Sequence, residues 1–391
     1  MRRVDTTQRR ARLAWRHRLV APAAGPVEVA RSLVALHSSD PSTVYLAVWA
    51  RVDDLDVSDL EHGLYEERSL LRVYGMRRTL WVVDRRTLPL VNSSSTRALV
   101  PGQTRRLANV LETCGVAEDG MAWLDDVIPK TLDAIRSRGE ALARDIASEV
   151  PELAERIVFE NKAGRVTGTM GASTGTLFLL GLQSRVIRAR PVGSWVSGRY
   201  RWAEMSEWLG EPIEEVPVEQ ASAELMRMWL HSFGPATETD LRWWTGWRVG
   251  QLRKALSDLE AVEVELDNAA IGYLLPDDLE PVDEPEPWVA LLPSLDPTSM
   301  GWKERDWYLG DHYPTLFDRN GNAGPTVWVD GKVVGGWAQR RDGEIAHELF
   351  DDVGHEAKEA VESRVGELQD WIGDITVTPR FRSPHDKALA G

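Results

Sequence analysis

The chain of 391 residues has a single cysteine, Cys114, so it forms no internal disulfide and holds no cysteine-rich zinc site. It has no apolar run approaching the roughly 18 residues of a membrane-spanning helix. Its N-terminus is Arg-rich but lacks the apolar stretch of a secretory signal. These absences fit a protein of the cytoplasm with no membrane partner. No lysine precedes Lys130, so a monofunctional, water-using enzyme is expected over a Schiff-base one unless a lysine distant in sequence folds into the site. No Gly-x-Ser-x-Gly elbow occurs, and with it goes the usual serine-hydrolase arrangement. His347 and His355 are too far apart to form a ligand pair on one helix turn, and no metal set is apparent. No cofactor is implied.

Charge of one sign is missing from two long stretches. Asn161 to Trp202 has seven basic residues and no acidic one, whereas Ala255 to Trp302 has twelve acidic residues and no basic one. The total of −15 would argue against nucleic acid if charge were evenly spread. It is not: residues 1–110 carry 18 Lys/Arg against 11 Asp/Glu, and the remainder carries 28 against 50. Phosphate binding follows the local field rather than the total. An acidic body with two basic segments can present a basic channel, although a basic stretch also serves as a plain solvated face.

What is present is typical of a soluble globular protein, 43% hydrophobic and 27% charged. The length calls for roughly two to four domains. One order of elements is predicted three times. In the first unit, Asp5 to Leu19, Val27 to Leu36, Thr43 to Val52 and Ser58 to Glu67 read as helices, the last opened by a Ser58/Glu61 capping box. Leu70 to Tyr74 and Arg78 to Val83 follow as a hairpin around Gly75. In the second, helices Trp123 to Arg136, Glu140 to Ser148 and Ala172 to Leu180, the last after a small-residue turn at Gly168 to Gly171, lead to strands Arg185 to Arg190 and Arg199 to Trp202. In the third, Glu219 to Ser232, Glu238 to Trp244 and Arg248 to Glu260 lead to the hairpin Val262 to Leu266 with Ile271 to Leu275.

The fold class expected is therefore α+β, with tandem winged-helix (helix-turn-helix) domains and a C-terminal β-rich region. The domains are placed at 1–115, 116–215, 216–280 and 281–391. Pro276 to Pro287 is an acidic, proline-rich linker or exposed loop. In the last region Thr326 to Val329 and Val333 to Trp337 flank Asp330-Gly331, a strong hairpin signal. Glu344 to Phe350 adds a strand, and His355 to Ile372 reads as a terminal helix.

The most informative stretch is Leu36-His37-Ser38-Ser39-Asp40-Pro41. Asp40 before Pro41 is a helix start, a capping carboxylate followed by a proline whose missing N–H costs nothing there. His37 and Ser39 are thereby fixed at a sharp junction. With Trp49-Ala50-Arg51 after it, this stretch resembles the signature of the AlkZ/YcaQ-type winged-helix DNA glycosylases, which show Gln-x-Gln or Gln-x-Asp where this chain has His37 and Ser39. Further blocks match in order. Met76-Arg77-Arg78-Thr79-Leu80-Trp81 resembles Met-Arg-Gly-Thr-Leu-His, with Arg78 in place of Gly. Gly234-Pro235-Ala236-Thr237 and Trp244-Thr245-Gly246 match the third unit. Leu292-Pro293-Ser294-Leu295-Asp296-Pro297, Gly301-Trp302, Arg305 and the hairpin Val329 to Trp337 match the C-terminal region.

The resemblance implies a monofunctional glycosylase acting on N7-alkylated, bulky or crosslinked purines in duplex DNA, in repair or genotoxin self-resistance. It implies a monomer. An N7-alkylated base is already cationic and leaves easily, so the enzyme must place a water and stabilise a cationic sugar. Carried over, His37 and Ser39 hold the water, His37 both orienting it and accepting its proton from an ordinary pKa near 6.5. Ser39 reaches less far than a carboxamide. The competing reading is that His37 caps the C-terminus of the preceding helix.

Arg77 and Arg78 at the first hairpin, and Arg185, Arg188, Arg190, Arg199 and Arg201 at the second, are candidates for DNA contact, each also able to serve as a surface ion pair. Most of the 17 tryptophans are expected in the core. Asp296 is expected to form a turn rather than to catalyse. A non-catalytic winged-helix DNA-binding protein or regulator is the alternative function.

Overall fold

The computed structural model describes every residue except 162, 164 and 268. One of the seven basic residues between Asn161 and Trp202, Lys162, therefore lies outside the described residues.

The chain opens with strand Arg2–Val4 and helix Thr6–Arg16, which Asp5 caps by accepting from the Gln8 N–H. The next helix, Pro26–Ser32, stops short of the expected Leu36. Leu33, Val34, Ala35 and Leu36 are all buried, so this run has no solvent face for a helix to keep. Val34 turns to a φ of 63° and the chain continues as the short strand Leu36–His37. His37 is thus a strand residue paired with Trp81, not a helix cap. Helix Pro41–Trp49 follows and is buried along its whole length. The next helix, Val57–Glu61, is opened by a reciprocal box of Asp56 and Asp59 rather than by Ser58 and Glu61, because Asp56 is the residue with extended backbone.

Strands Leu36–His37, Leu80–Asp84 and Leu70–Tyr74 form an antiparallel sheet in the order first, third, second. The same order recurs in Glu140–Leu142, Tyr200–Glu204 and Val186–Pro191. It recurs again in Ala236–Thr237, Ile271–Leu274 and Val262–Leu266, to which Arg2–Val4 adds in parallel. The first strand of each sheet lies between helices: Glu140–Leu142 falls after Gly120–Arg138 and before Ala143–Glu149 and Ala172–Leu182, so the helix expected from Glu140 begins only at Ala143, and Ala236–Thr237 falls after Val218–Phe233 and before Glu238–Thr245 and Val249–Asp258.

One element breaks the pattern. The stretch expected as a small-residue turn, Gly168 to Gly171, is the end of strand Val166–Gly171, which pairs with Arg156–Glu160 in a separate hairpin. Its Thr and Val residues favour an extended backbone despite the interleaved glycines.

The C-terminal region is a four-stranded antiparallel meander, Val289–Leu292, Thr326–Val329, Lys332–Gln339 and Ile345–Leu349, with helix His355–Ile372 packed on it. Asp330 and Gly331 both take positive φ, 46° and 78°, as a tight hairpin turn requires.

The first and third units and the C-terminal region share one hydrophobic core, to which the second unit adds Ile187, Trp195 and Trp208 among others, whereas the helices of the second unit pack in a separate cluster, to which helix Val100–Thr113 adds Leu107 and Leu111. An ion pair fixes the first unit to the C-terminal region: Arg51 donates both terminal nitrogens to Asp296 at 2.9 and 2.7 Å, with both side chains 0% exposed. Asp296 also accepts from the Thr298 N–H, the turn role expected for it. The acidic Pro276 to Pro287 stretch is tied down where Asp278 receives Arg12 and Arg16. Of the tryptophans, Trp81, Trp229, Trp302 and Trp328 are fully buried.

Candidate active site and nucleic-acid interface

Asp40 organises the junction after the first strand. One carboxylate oxygen accepts from the Ser42 N–H and hydroxyl at 3.0 and 2.7 Å, and the other accepts from the Arg380 N–H at 2.6 Å. The C-terminal tail is thereby strapped across the motif. Ser38 points the other way and its hydroxyl accepts from buried Arg72. With both neighbours pinned, His37 and Ser39 have little freedom.

His37 is 6% exposed, edge-on to Trp81 at 4.9 Å between ring centroids, and lines a cavity of about 440 Å³. Its Nδ1 accepts a long 3.4 Å hydrogen bond from the Ser39 N–H. Burial, then the charge of Arg77, lower its pKa from 6.5 to about 3. The imidazole is neutral at any physiological pH, and it is a far weaker base than an ordinary histidine. Ser39 is half-buried and does not line the cavity. Its carbonyl accepts from the Arg380 guanidinium at 3.3 Å. Ser39 thus meets the His37 ring through its N–H, while only His37 lines the cavity.

Arg77 and Arg78 sit at the tip of the first hairpin with φ of 56° and 63°. The left-handed region suits glycine, which accounts physically for a Gly at the Arg78 position in the motif that this hairpin resembles. Arg77 runs over the Trp243 ring at 4.2 Å. The turn Trp244-Thr245-Gly246 lies against it: Gly246 has a φ of 70°, and a Cβ there would meet the Arg77 Cγ at 3.1 Å. Burial, then Arg305, lower the Arg77 pKa to about 10.

Arg77 borders two cavities. On one side lies the His37 cavity, lined also by Lys303, Arg305 and Arg319, so a lysine distant in sequence does reach the site and the lack of an N-terminal lysine does not by itself exclude a Schiff base. On the other is a groove of about 640 Å³ between the first and second units, lined by Arg78, Arg188, Tyr74, Phe178 and Trp202 among others. Arg188 donates to the Tyr74 hydroxyl at 2.8 Å. Arg190, on the same strand face, is instead paired with Glu61 of the first unit and lies over the Tyr65 ring. Arg185 and Arg199 are exposed and Arg201 is half-buried; none of the three lines either cavity.

Sequence reasoning did not find Trp243, Lys303, Arg305 and Arg319 as site residues. Their only signal was that Lys303 and Arg305 follow the Gly301-Trp302 block. Among the described residues, no group of three or more His, Cys, Asp or Glu is placed to hold a metal ion, and no helix is long and apolar enough to cross a membrane.

A family model described as DNA glycosylase AlkZ-like matches residues 30–371. The solved structure of the DNA glycosylase AlkZ from Streptomyces sahachiroi matches over 95% of this chain and 98% of its own, with a TM-score of 0.73 and 18% identity. At that identity the likeness speaks for a shared mixed α/β fold. No curated protein matches the chain.

Proposed function

Because the chain belongs to the AlkZ-like DNA glycosylase family, we propose that it hydrolyses the N-glycosidic bond of N7-alkylated or bulky, crosslinked purines in duplex DNA, without lyase activity and as a monomer. We read its three helix-and-hairpin units as tandem winged helices, with the strand order first, third, second in each sheet as support.

The observation that carries the reading is His37, a neutral imidazole at the wall of a cation-lined cavity. The leaving base carries its own positive charge and departs neutral, so no acid is needed. What remains is to hold a water at the anomeric carbon. A ring whose Nδ1 faces the Ser39 N–H leaves Nε2 to hold that water. With a pKa of about 3 it orients the water rather than taking up its proton. The proton passes to bulk solvent once the cationic sugar has been captured. Ser39 fixes the ring through its backbone N–H and not through its hydroxyl. Arg77, Arg78 and Arg188 line the duplex-facing groove, and Arg185, Arg199 and Arg201 supply outlying phosphate contacts.

The test is a duplex carrying 7-methylguanine beside one carrying a bulky N7 adduct, scored for alkali-sensitive strand breaks. Breaks on either support base excision, and their ratio shows how specialised the site is. Salt-sensitive binding with no breaks on either would make the protein a DNA-binding relative without the chemistry.

A further inference from the structure

The cavity beside His37 is lined by Arg77, Lys303, Arg305 and Arg319 and by no carboxylate. Buried cations are normally paired with acids. Arg305 is only 4% exposed, yet its Nε and Nη2 have no hydrogen-bond partner, and neither does the buried Nε of Arg77. Ring faces hold the two guanidiniums instead. Both lie over Trp243, at 4.2 and 4.8 Å, and Arg305 also lies over Phe317 at 4.7 Å. Stacking fixes a guanidinium plane and leaves its edge N–H groups free to donate. Asp318, the acid of the loop bearing Arg319, is spent on that loop, accepting from the N–H groups of Asn320 and Asn322 at 2.8 and 2.9 Å.

We infer that this cavity is a phosphodiester site that receives the DNA backbone phosphate next to the nucleotide whose base is removed. The inference that the anion belongs to DNA rests on the glycosylase reading above; the inference that an anion is bound rests on the unpaired cations alone. An anion between Arg77 and Arg305 offsets their mutual repulsion and satisfies the orphaned N–H groups at once. The same charges disfavour a base that is already cationic at N7, so the lesion base lies outside this cavity while its phosphate lies within. Lys303 and Arg319, both exposed, form the mouth. The anchored phosphate would set the sugar's distance from His37.

The experiment needs no catalysis. Duplexes carrying a tetrahydrofuran abasic analogue are titrated by fluorescence anisotropy, with single neutral methylphosphonates replacing successive phosphates around the analogue. At one position the substitution is expected to weaken binding to the native protein by about tenfold. Arg305→Gln, and separately the surface double variant Lys303→Gln/Arg319→Gln, should show little further loss at that position while matching the native protein elsewhere. The surface pair keeps the test valid if Arg305→Gln does not fold. Equal losses in native and variant proteins at every position would overturn the phosphate site. If the position-specific coupling holds but no lesion duplex loses its base, the excision reading falls and the phosphate site stands.

Discussion

His37 is held neutral by two effects of the same sign, lost hydration and the nearby Arg77 charge. Truncating it removes the group proposed to position water but none of the groups proposed to grip phosphate. His37→Ala should therefore lower base release at least about a hundredfold with duplex affinity nearly unchanged, measured as single-turnover rate against anisotropy Kd. Equal losses in both would assign His37 a structural role. An ordinary imidazole would make the rate rise as pH passes through 6.5. With the pKa lowered to about 3, the rate should stay flat from about pH 5 to about pH 9. Arg78 offers the opposite kind of test. Its φ of 63° is strained for a residue with a Cβ. Arg78→Gly should stabilise the protein by about 0.5–1 kcal/mol in urea melts while weakening DNA binding, because strain and charge reside in the same residue.

Elements form where short-range chemistry and burial agree. The helix Pro41–Trp49 begins where Asp40-Pro41 says it should, and Leu70–Tyr74, Val262–Leu266, Thr326–Val329 and His355–Ile372 match their sequence-based bounds. Elements went astray where the local signal was ambiguous. Leu33 to Leu36 is as apolar as a helix stripe but buried on all sides, and its pairing with a distant strand decided the outcome. Gly168 to Gly171 looked like a turn because its partner strand, Arg156–Glu160, carried too little contrast to be noticed. The Asp40 cap also serves the tail, so its removal orphans both the Ser42 and the Arg380 N–H groups. Asp40→Ala should cost about 3 kcal/mol, more than the roughly 1 kcal/mol of an ordinary exposed cap. Thermal melts of this variant beside Asp119→Ala, which loses only the cap on the Ala122 N–H, would separate the two effects.

At the scale of the whole molecule, net charge and function point in different directions. The total is −15, yet the cations meet at the two cavities bordered by Arg77. Duplex affinity should fall steeply with salt, the slope of log K against log salt being about −0.9 per phosphate engaged. A flat salt dependence would remove DNA from the account. Acid should also destabilise the fold through its buried histidines. Unfolded, His17 and His37 take up protons as pH drops below 6.5; folded, His37 does so only near 3 and His17 stays well below its ordinary value, both chiefly because of burial. Stability is therefore whole above pH 6.5 and declines from there toward pH 3. His37→Asn should lose less stability than the native protein between about pH 7 and about pH 5 in paired denaturant melts, since one of the two proton sinks is gone.

Local chemistry along the chain was enough to determine the capped junction at Asp40-Pro41, the Asp330-Gly331 turn, the closing hairpin of each unit, and the ordered motifs that mark the family. These depend on neighbours within a few residues or on a pattern repeated along the chain. Sequence alone could not show that His37 lines the cavity while Ser39 lies under Arg380. Nor could it show that Arg190 is spent on Glu61 while Arg77 and Arg305 share Trp243. Those outcomes were decided by packing between segments far apart in the chain, because charge pairing and burial depend on distances that only the folded chain sets.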